Sequence, residues 1–283
     1  MKQEQKNLIR KAVVRYVGNY NTVTEAAQSM KNVTAIEIMQ IVNNNRNAIN
    51  DRQWQQIARQ LNMHVTEWKT ADTSASLLLR ILMGDAQRYA MNYGVSMAGG
   101  MGKTYAAEIY SRSNDNVVYV TGSAAHNRKT FVTEMLASAG GEANGTAPEM
   151  LRNLTELMLQ NDEPLLIVDD AHLLKDRVLH MVVMLANNLM GKAGIMLMGN
   201  EELRPRIIEG VRTGRLGYEE IYQAIGRRFV TLSYLAPSDV AAVCRANGVY
   251  DEETIAHISS NCDNCLHTAT YLIQQCMEQR IAA

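Results

Sequence analysis

Aromatic side chains are scarce in this sequence: Phe occurs twice and Trp twice in 283 residues, against 17 Met. Methionine fills irregular cores and also lines adaptable surfaces, so its abundance alone assigns no role. No stretch approaches the ~18 consecutive apolar residues of a membrane span, which excludes a membrane partner of that kind. The opening, MKQEQKNLIRKAVVRY, has no apolar run before a cleavage site, so no secretory leader is read and a cytoplasmic location is expected. Cysteine is limited to Cys244, Cys262, Cys265 and Cys276. Cys262 and Cys265 have Cys-x-x-Cys spacing with His257 and His267 nearby, but a second close ligand pair is missing. Buried, reduced thiols in a helical segment are therefore expected rather than zinc. Repeats and low-complexity tracts are absent, and the length suits one large or two modest domains.

Charge is nearly balanced overall, at −1, but unevenly spread. Residues 1–69 carry ten Lys/Arg against five acids, a net of +5, and the remainder carries −6. A basic amino-terminal module on a mildly acidic body points to a polyanion at one end. Residues 5–62 read as short helices. NTVTEAAQSM and TAIEIMQIVNNN, the latter capped by Thr34, are joined by a connector of about three residues, KNV, and INDRQWQQIARQLNM follows as an amphipathic helix. That arrangement fits a helix-turn-helix, whose second helix enters the major groove of double-stranded DNA. Thr34, Glu37, Gln40 and the segment Asn43–Arg46 are the candidate DNA contacts, with Thr34, Gln40 and Arg46 foremost. A small bundle used for protein contact fits the same pattern.

Four regions are expected: a helix-turn-helix domain at 1–63, a linker at 64–73, an α/β core at 74–236 and a helical lid at 237–283. Within the core, YGVSMA, NVVYVTG, PLLIVDD, AGIMLMGN and RRFVTLSYL read as strands and alternate with helices, which implies a five-stranded, mainly parallel sheet covered on both faces. The stretch VSMAGGMGKTYAAEIY lies between the first strand and a helix, the context of a phosphate-binding loop. Such a loop wraps a β-phosphate with backbone N–H groups and aims a helix amino terminus at the anion. Ala98, Gly99, Gly100, Met101, Gly102, Lys103, Thr104 and Tyr105 form the candidate ATP cradle. Lys103 would reach the β- and γ-phosphates and Thr104 would ligate Mg²⁺. Met97 stands where the pattern has its first glycine and fits if its side chain points away from the phosphates.

The second half of the site is LLIVDD, a buried strand ending in Asp169 and Asp170. Asp169 is expected to hold Mg²⁺ through water and Asp170 to polarise the attacking water. Glu is common at the second position, and the shorter Asp predicts slow hydrolysis. Asn200, at the tip of IMLMGN, would hold the lytic water or cap the following turn. Arg227 or Arg228 would act as an arginine finger on a neighbouring subunit's γ-phosphate. Solvated arginines are the alternative reading of that pair, and Arg204, Arg206, Arg212 and Arg215 precede it without an assigned role.

The order of these pieces resembles the AAA+ ATPases of DNA transposition, of the phage Mu B, TnsC and TniB type. MAGGMGKTYAAEIY, DDAHLL and IMLMGN carry the match, and the likeness runs over nearly the whole chain. The resemblance implies an AAA+ P-loop core, ATP-dependent filaments or rings on DNA of little sequence preference, and delivery of that DNA to a transposase, which is stimulated. It also implies hydrolysis-driven disassembly, in a bacterial or phage-infected cell. Filament binding adds DNA contacts from the core, and Ser123, His126, Asn127, Arg128 and Lys129 suit phosphate contact. The family's second-sensor arginine is replaced by Leu266 and His267. Three other readings share parts of the pattern: an NB-ARC-like signalling ATPase, an IstB- or DnaC-like helicase loader, and a nucleotide-gated helix-turn-helix regulator.

Overall fold

The computed structural model describes residues 3–45, 48–61 and 68–282. It comprises two compact units, Met1–Trp68 and Lys69–Ala283.

In the first unit, α1 (Gln3–Val17), α2 (Val23–Gln28), α3 (Ala35–Val42) and α4 (Asp51–Gln60) enclose a core of Ile9, Val13, Ile38, Ile41, Trp54 and Ile57. Thr22 caps α2, and Thr34 with Glu37 forms a capping box on α3, satisfying N–H groups that a helix start leaves open. The connection between α2 and α3 runs over residues 29–34, longer than the three-residue connector read from KNV. Each cap residue takes a place in it. Part of the positive charge is spent internally. Arg10 donates to the carbonyls of Ile41 and Val42 at the end of α3, and Lys6 pairs with Asp51 at 2.7 Å.

The second unit is an α/β layer structure. Strands β1 (Asn92–Met97), β2 (Val117–Thr121), β3 (Leu165–Asp169), β4 (Gly194–Gly199) and β5 (Phe229–Leu232) form one parallel sheet in the order β2-β3-β4-β1-β5. The central strands β3 and β4 are buried along their whole length, as apolar runs must be when helices cover both faces. Alternation sorts their side chains. Leu166, Val168, Ile195 and Leu197 face the helices α7 (Arg128–Ser138), α8 (Ala147–Leu159), α9 (Asp176–Asn188), α10 (Leu203–Arg212) and α11 (Tyr218–Ala224). Leu165, Ile167, Met196 and Met198 face α5 (Ser74–Tyr89) and α6 (Lys103–Ser113). The fifth strand is shorter than RRFVTLSYL suggested. Arg227 takes a left-handed backbone (φ 56°) and ends the turn before β5, so the strand starts two residues later.

Three helices complete the unit: α12 (Pro237–Ala246), α13 (Glu252–Asn261) and α14 (Leu266–Ala282). Residues 69–73, read as part of a linker, are bonded on several sides. The Asn247 side chain accepts from the Lys69 N–H and donates to its carbonyl, Thr70 shares a 2.6 Å hydrogen bond with Tyr105, and Thr73 caps α5. Residues 64–67, also in that reading, lie outside the described residues. Among the described residues no helix is long and apolar enough to cross a membrane.

Candidate functional site: a phosphate loop between two strand tips

The sheet order places the chemistry. Strand β4 lies between β1 and β3, so its tip falls between the loop that follows β1 and the two acids that end β3. The carboxyl ends of parallel strands are where α/β folds bind ligands.

Met97 is the last residue of β1 and is fully buried, packed into the α5/α6 core. Its side chain points away from the loop interior, so the first position of the motif is a strand residue here and needs no glycine. The turn itself begins later. Gly100 (φ 71°) and Gly102 (φ 83°) adopt left-handed conformations that side-chain-bearing residues rarely take, and Gly102 caps α6. Lys103 opens α6, is almost wholly buried, and donates to the carbonyls of Met97 (3.0 Å) and Ala98 (2.8 Å). Burial lowers its ammonium pKa, while Asp169, Asp170 and Glu201 pull it back up.

Asp169 has no exposed surface. Its Oδ1 accepts the Asp170 N–H at 2.9 Å and its Oδ2 accepts the Tyr119 hydroxyl at 3.4 Å. Burial pushes the carboxyl pKa up, and hydrogen bonds from the Thr104 side chain and the Asp170 backbone hold it down. Thr104 and Asp169 therefore already meet. One hydroxyl and one buried carboxylate suit Mg²⁺, which keeps waters and takes phosphate oxygens for the rest of its shell. No group of three or more His, Cys, Asp or Glu that could form an all-protein metal cage occurs among the described residues. The four cysteines are free thiols, Cys244 and Cys262 buried and the other two partly so.

Asp170 sits in a left-handed conformation (φ 47°), which turns its half-exposed carboxylate out of the strand. Its Oδ1 lies 3.9 Å from His172 Nδ1, and that nitrogen accepts the Asn200 N–H at 3.4 Å. His172 thus stands between the second acid and the β4 tip. The Asn200 side chain takes the capping role read for it. Its Oδ1 accepts the Glu202 N–H at 2.9 Å as a turn cap, and its Nδ2 has no hydrogen bond among the described residues. Ser96 ties the neighbouring tips together by donating to the Asn200 carbonyl at 2.8 Å.

The last helix closes over the loop. The Leu266 N–H donates to the Gly100 carbonyl at 2.8 Å, and a Cβ on Gly100 would lie 2.2 Å from Cys265 Sγ. Burial raises the Cys265 thiol pKa, but hydrogen bonds from Thr268 and His267 outweigh it and bring the thiol below its usual range.

The remaining sequence-predicted residues lie apart from this cluster. Ser123 accepts the Ala125 N–H, and Asn127 caps α7 by accepting from Lys129 and Thr130. Arg128 and Lys129 are exposed and make no ion pair among the described residues. His126 is buried against Phe131 and bonded to Glu134 at 3.0 Å, which removes it from the phosphate-contact surface. Arg227 pairs with Glu219, whereas Arg228 is exposed and unpaired among the described residues. The Thr34 hydroxyl is occupied by its own capping box and Gln40 is half-buried. Arg46 lies outside the described residues.

Tyr119 and His172 were not singled out in the sequence. Tyr119 interrupts an otherwise aliphatic strand, NVVYV, and burial pushes its hydroxyl pKa up to about 12, so it stays a neutral donor toward Asp169. His172 stands in plain sight in DDAH, but its position between two strand tips depends on sheet order.

A parallel sheet of this order, a glycine loop opening a helix, and paired acids on the third strand define a nucleotide-binding P-loop domain. Comparison with known families agrees: residues 98–207 match the family described as AAA domain (AAA_22). That match supports a P-loop ATPase core of the AAA type, with nucleotide hydrolysis as its general chemistry. No match was found among curated proteins.

Proposed function

We propose that the chain is an ATP- and Mg²⁺-dependent ATPase that binds double-stranded DNA without sequence preference and assembles on it as a filament. In this reading it delivers the DNA to a transposase and stimulates it, and hydrolysis drives disassembly. The observation that carries the proposal is the pair of exposed, unpaired cations Arg128 and Lys129. They open the helix that follows β2, on the same carboxyl edge of the sheet as the phosphate loop. DNA contact and nucleotide contact then share one edge, and phosphate-only contacts give affinity without a sequence code. Arg228 is the better-placed finger, because Arg227 is already engaged by Glu219. Lys103 and Asn200 would address the γ-phosphate, and Thr104 and Asp169 would hold the metal.

The test is to image the protein on long random-sequence DNA with and without ATP and Mg²⁺. Filaments that need ATP support the proposal. Binding at a single operator points instead to a nucleotide-gated regulator. No DNA binding leaves a signalling or loader ATPase.

One observation favours protein contact for the first unit. The exposed face of α3 carries Ile36 (71% exposed) and Met39 (50%), apolar side chains where a DNA-reading helix would carry polar ones. If Ile36→Ser with Met39→Ser leaves DNA affinity unchanged, that face of α3 is not the DNA contact and a protein partner is the remaining reading.

A further inference from the structure

In the sequence Arg206 is one arginine among several with no assigned role, and its side chain is largely buried, 23% exposed. Its guanidinium makes four bonds in four directions. It donates to the carbonyls of His172 (2.8 Å) and Leu174 (2.7 Å), to Asp176 Oδ1 (2.8 Å) and to the Tyr218 hydroxyl (3.2 Å). The two carbonyls belong to the short 3₁₀ turn Ala171–Leu173 and the residue after it, the segment on which Asp170 is mounted. Arg206 itself lies on α10, the helix that begins just beyond Asn200.

A planar guanidinium presents donors in a fixed fork, which a lysine ammonium does not reproduce. The fork here fixes the spacing between the turn behind Asp170 and the helix behind Asn200. The hydrogen bonds of that turn, Leu173 N–H to the Asp170 carbonyl and Leu174 N–H to Ala171, are closed on its other side by these contacts. The same cluster extends to the neighbouring helix α11. Asp176 also accepts the Tyr218 hydroxyl at 2.8 Å and pairs through Oδ2 with Arg215 at 2.7 Å, and Tyr218 opens α11, the helix that leads to Arg227 and Arg228.

We propose that Arg206 is a positioning residue. It holds the Asp170 turn in register with Asn200 and links that register to α11, and so to the edge that carries Arg228. The proposal rests on the ATPase reading for its effect on turnover, but its structural half stands apart from that reading.

Three variants test it: Arg206→Lys, which keeps charge but loses the fork, Arg206→Ala, and the milder Tyr218→Phe. ATP binding is measured with a fluorescent ATP analogue, turnover by phosphate release, and amide exchange of residues 171–174 without nucleotide. Arg206→Lys is expected to bind the analogue within about twofold of wild type. Its kcat falls at least tenfold at unchanged KM, and exchange at 171–174 rises at least tenfold while β3 and β4 stay protected. Tyr218→Phe should show the same pattern more weakly. Unchanged kcat and exchange in Arg206→Lys overturn the proposal, as does a loss of protection spread over the whole sheet in both Arg206→Lys and Tyr218→Phe. If the wild-type protein does not hydrolyse ATP, the ATPase reading fails. Exchange then decides alone: a local rise supports the positioning role and no change refutes it.

Discussion

Single residues in the nucleotide site answer to two demands, packing and charge. Met97 answers to packing. Restoring the usual glycine by Met97→Gly removes a fully buried side chain, which costs about 2–5 kcal/mol for a large-to-small core change. ATP affinity is not expected to improve, and urea unfolding with an ATP titration checks both. Asp169 answers to charge. Its pKa is raised by burial, so the folded protein without metal holds a proton more readily than the unfolded chain. The cost of the bare carboxylate therefore appears as pH rises through the unfolded value toward the folded one, and persists above it. Asp169→Asn relieves that cost at neutral pH, so the melting temperature without metal is expected to rise. The same change should abolish Mg²⁺-dependent nucleotide binding, and a lower melting temperature without metal would contradict this account. Asp170→Asn should leave ATP affinity within about twofold and reduce turnover by a factor on the order of 10²–10⁴, as loss of a general base does. Lys103, Thr104, Asp169 and Asp170 were legible in the sequence because each sits in a short motif whose residue types the chemistry dictates. Arg206, Tyr119 and His172 were not, because their partners come from other strands and helices.

Among the elements, the carboxyl-terminal helical segment is the most informative. Cys265 and Leu266, at the start of α14, meet the phosphate loop at Gly100, far away along the chain. Gly100→Ala meets two obstacles, the positive φ and the 2.2 Å approach to Cys265 Sγ. It is expected to destabilise the domain by more than ~1 kcal/mol and to weaken ATP binding at least tenfold. Adding Cys265→Ala removes only the second obstacle, so a double-mutant cycle should show coupling between the two sites. Additive effects would mean that this segment does not rest on the loop in solution. Strand identities and their order along the chain followed from apolar runs that alternate with helical stretches. One helix start followed from its cap, Thr34, whereas the caps Thr73 and Asn127 emerge only in the structure. The connection between α2 and α3 was misjudged at its start: α2 ends at Gln28 with Ser29 as its C-cap, two residues before the end of NTVTEAAQSM, whereas the Thr34 cap was read from the sequence.

For the molecule as a whole, two units with separate cores imply separable tasks. Residues 69–283 expressed alone should bind ATP within about threefold of the full chain, since every residue of the site lies there. In the full chain, Arg128→Ala with Lys129→Ala should lower the slope of log affinity for DNA against log salt by about two, with no change in ATP binding. An unchanged slope would place the DNA elsewhere. The sheet order also dictates when the site can come into being. Strand β1, which carries the loop, pairs only with β4 and β5, both later in the chain, so that Val95 meets Met198 and Val230. During synthesis β2 and β3 can join as soon as they emerge, whereas the phosphate loop hangs from an unpartnered strand until the fourth strand arrives. Such non-local pairing is slow to form. Nucleotide is therefore expected to find no cradle until the centre of the sheet has closed, and to stabilise the finished domain without guiding its first folding steps.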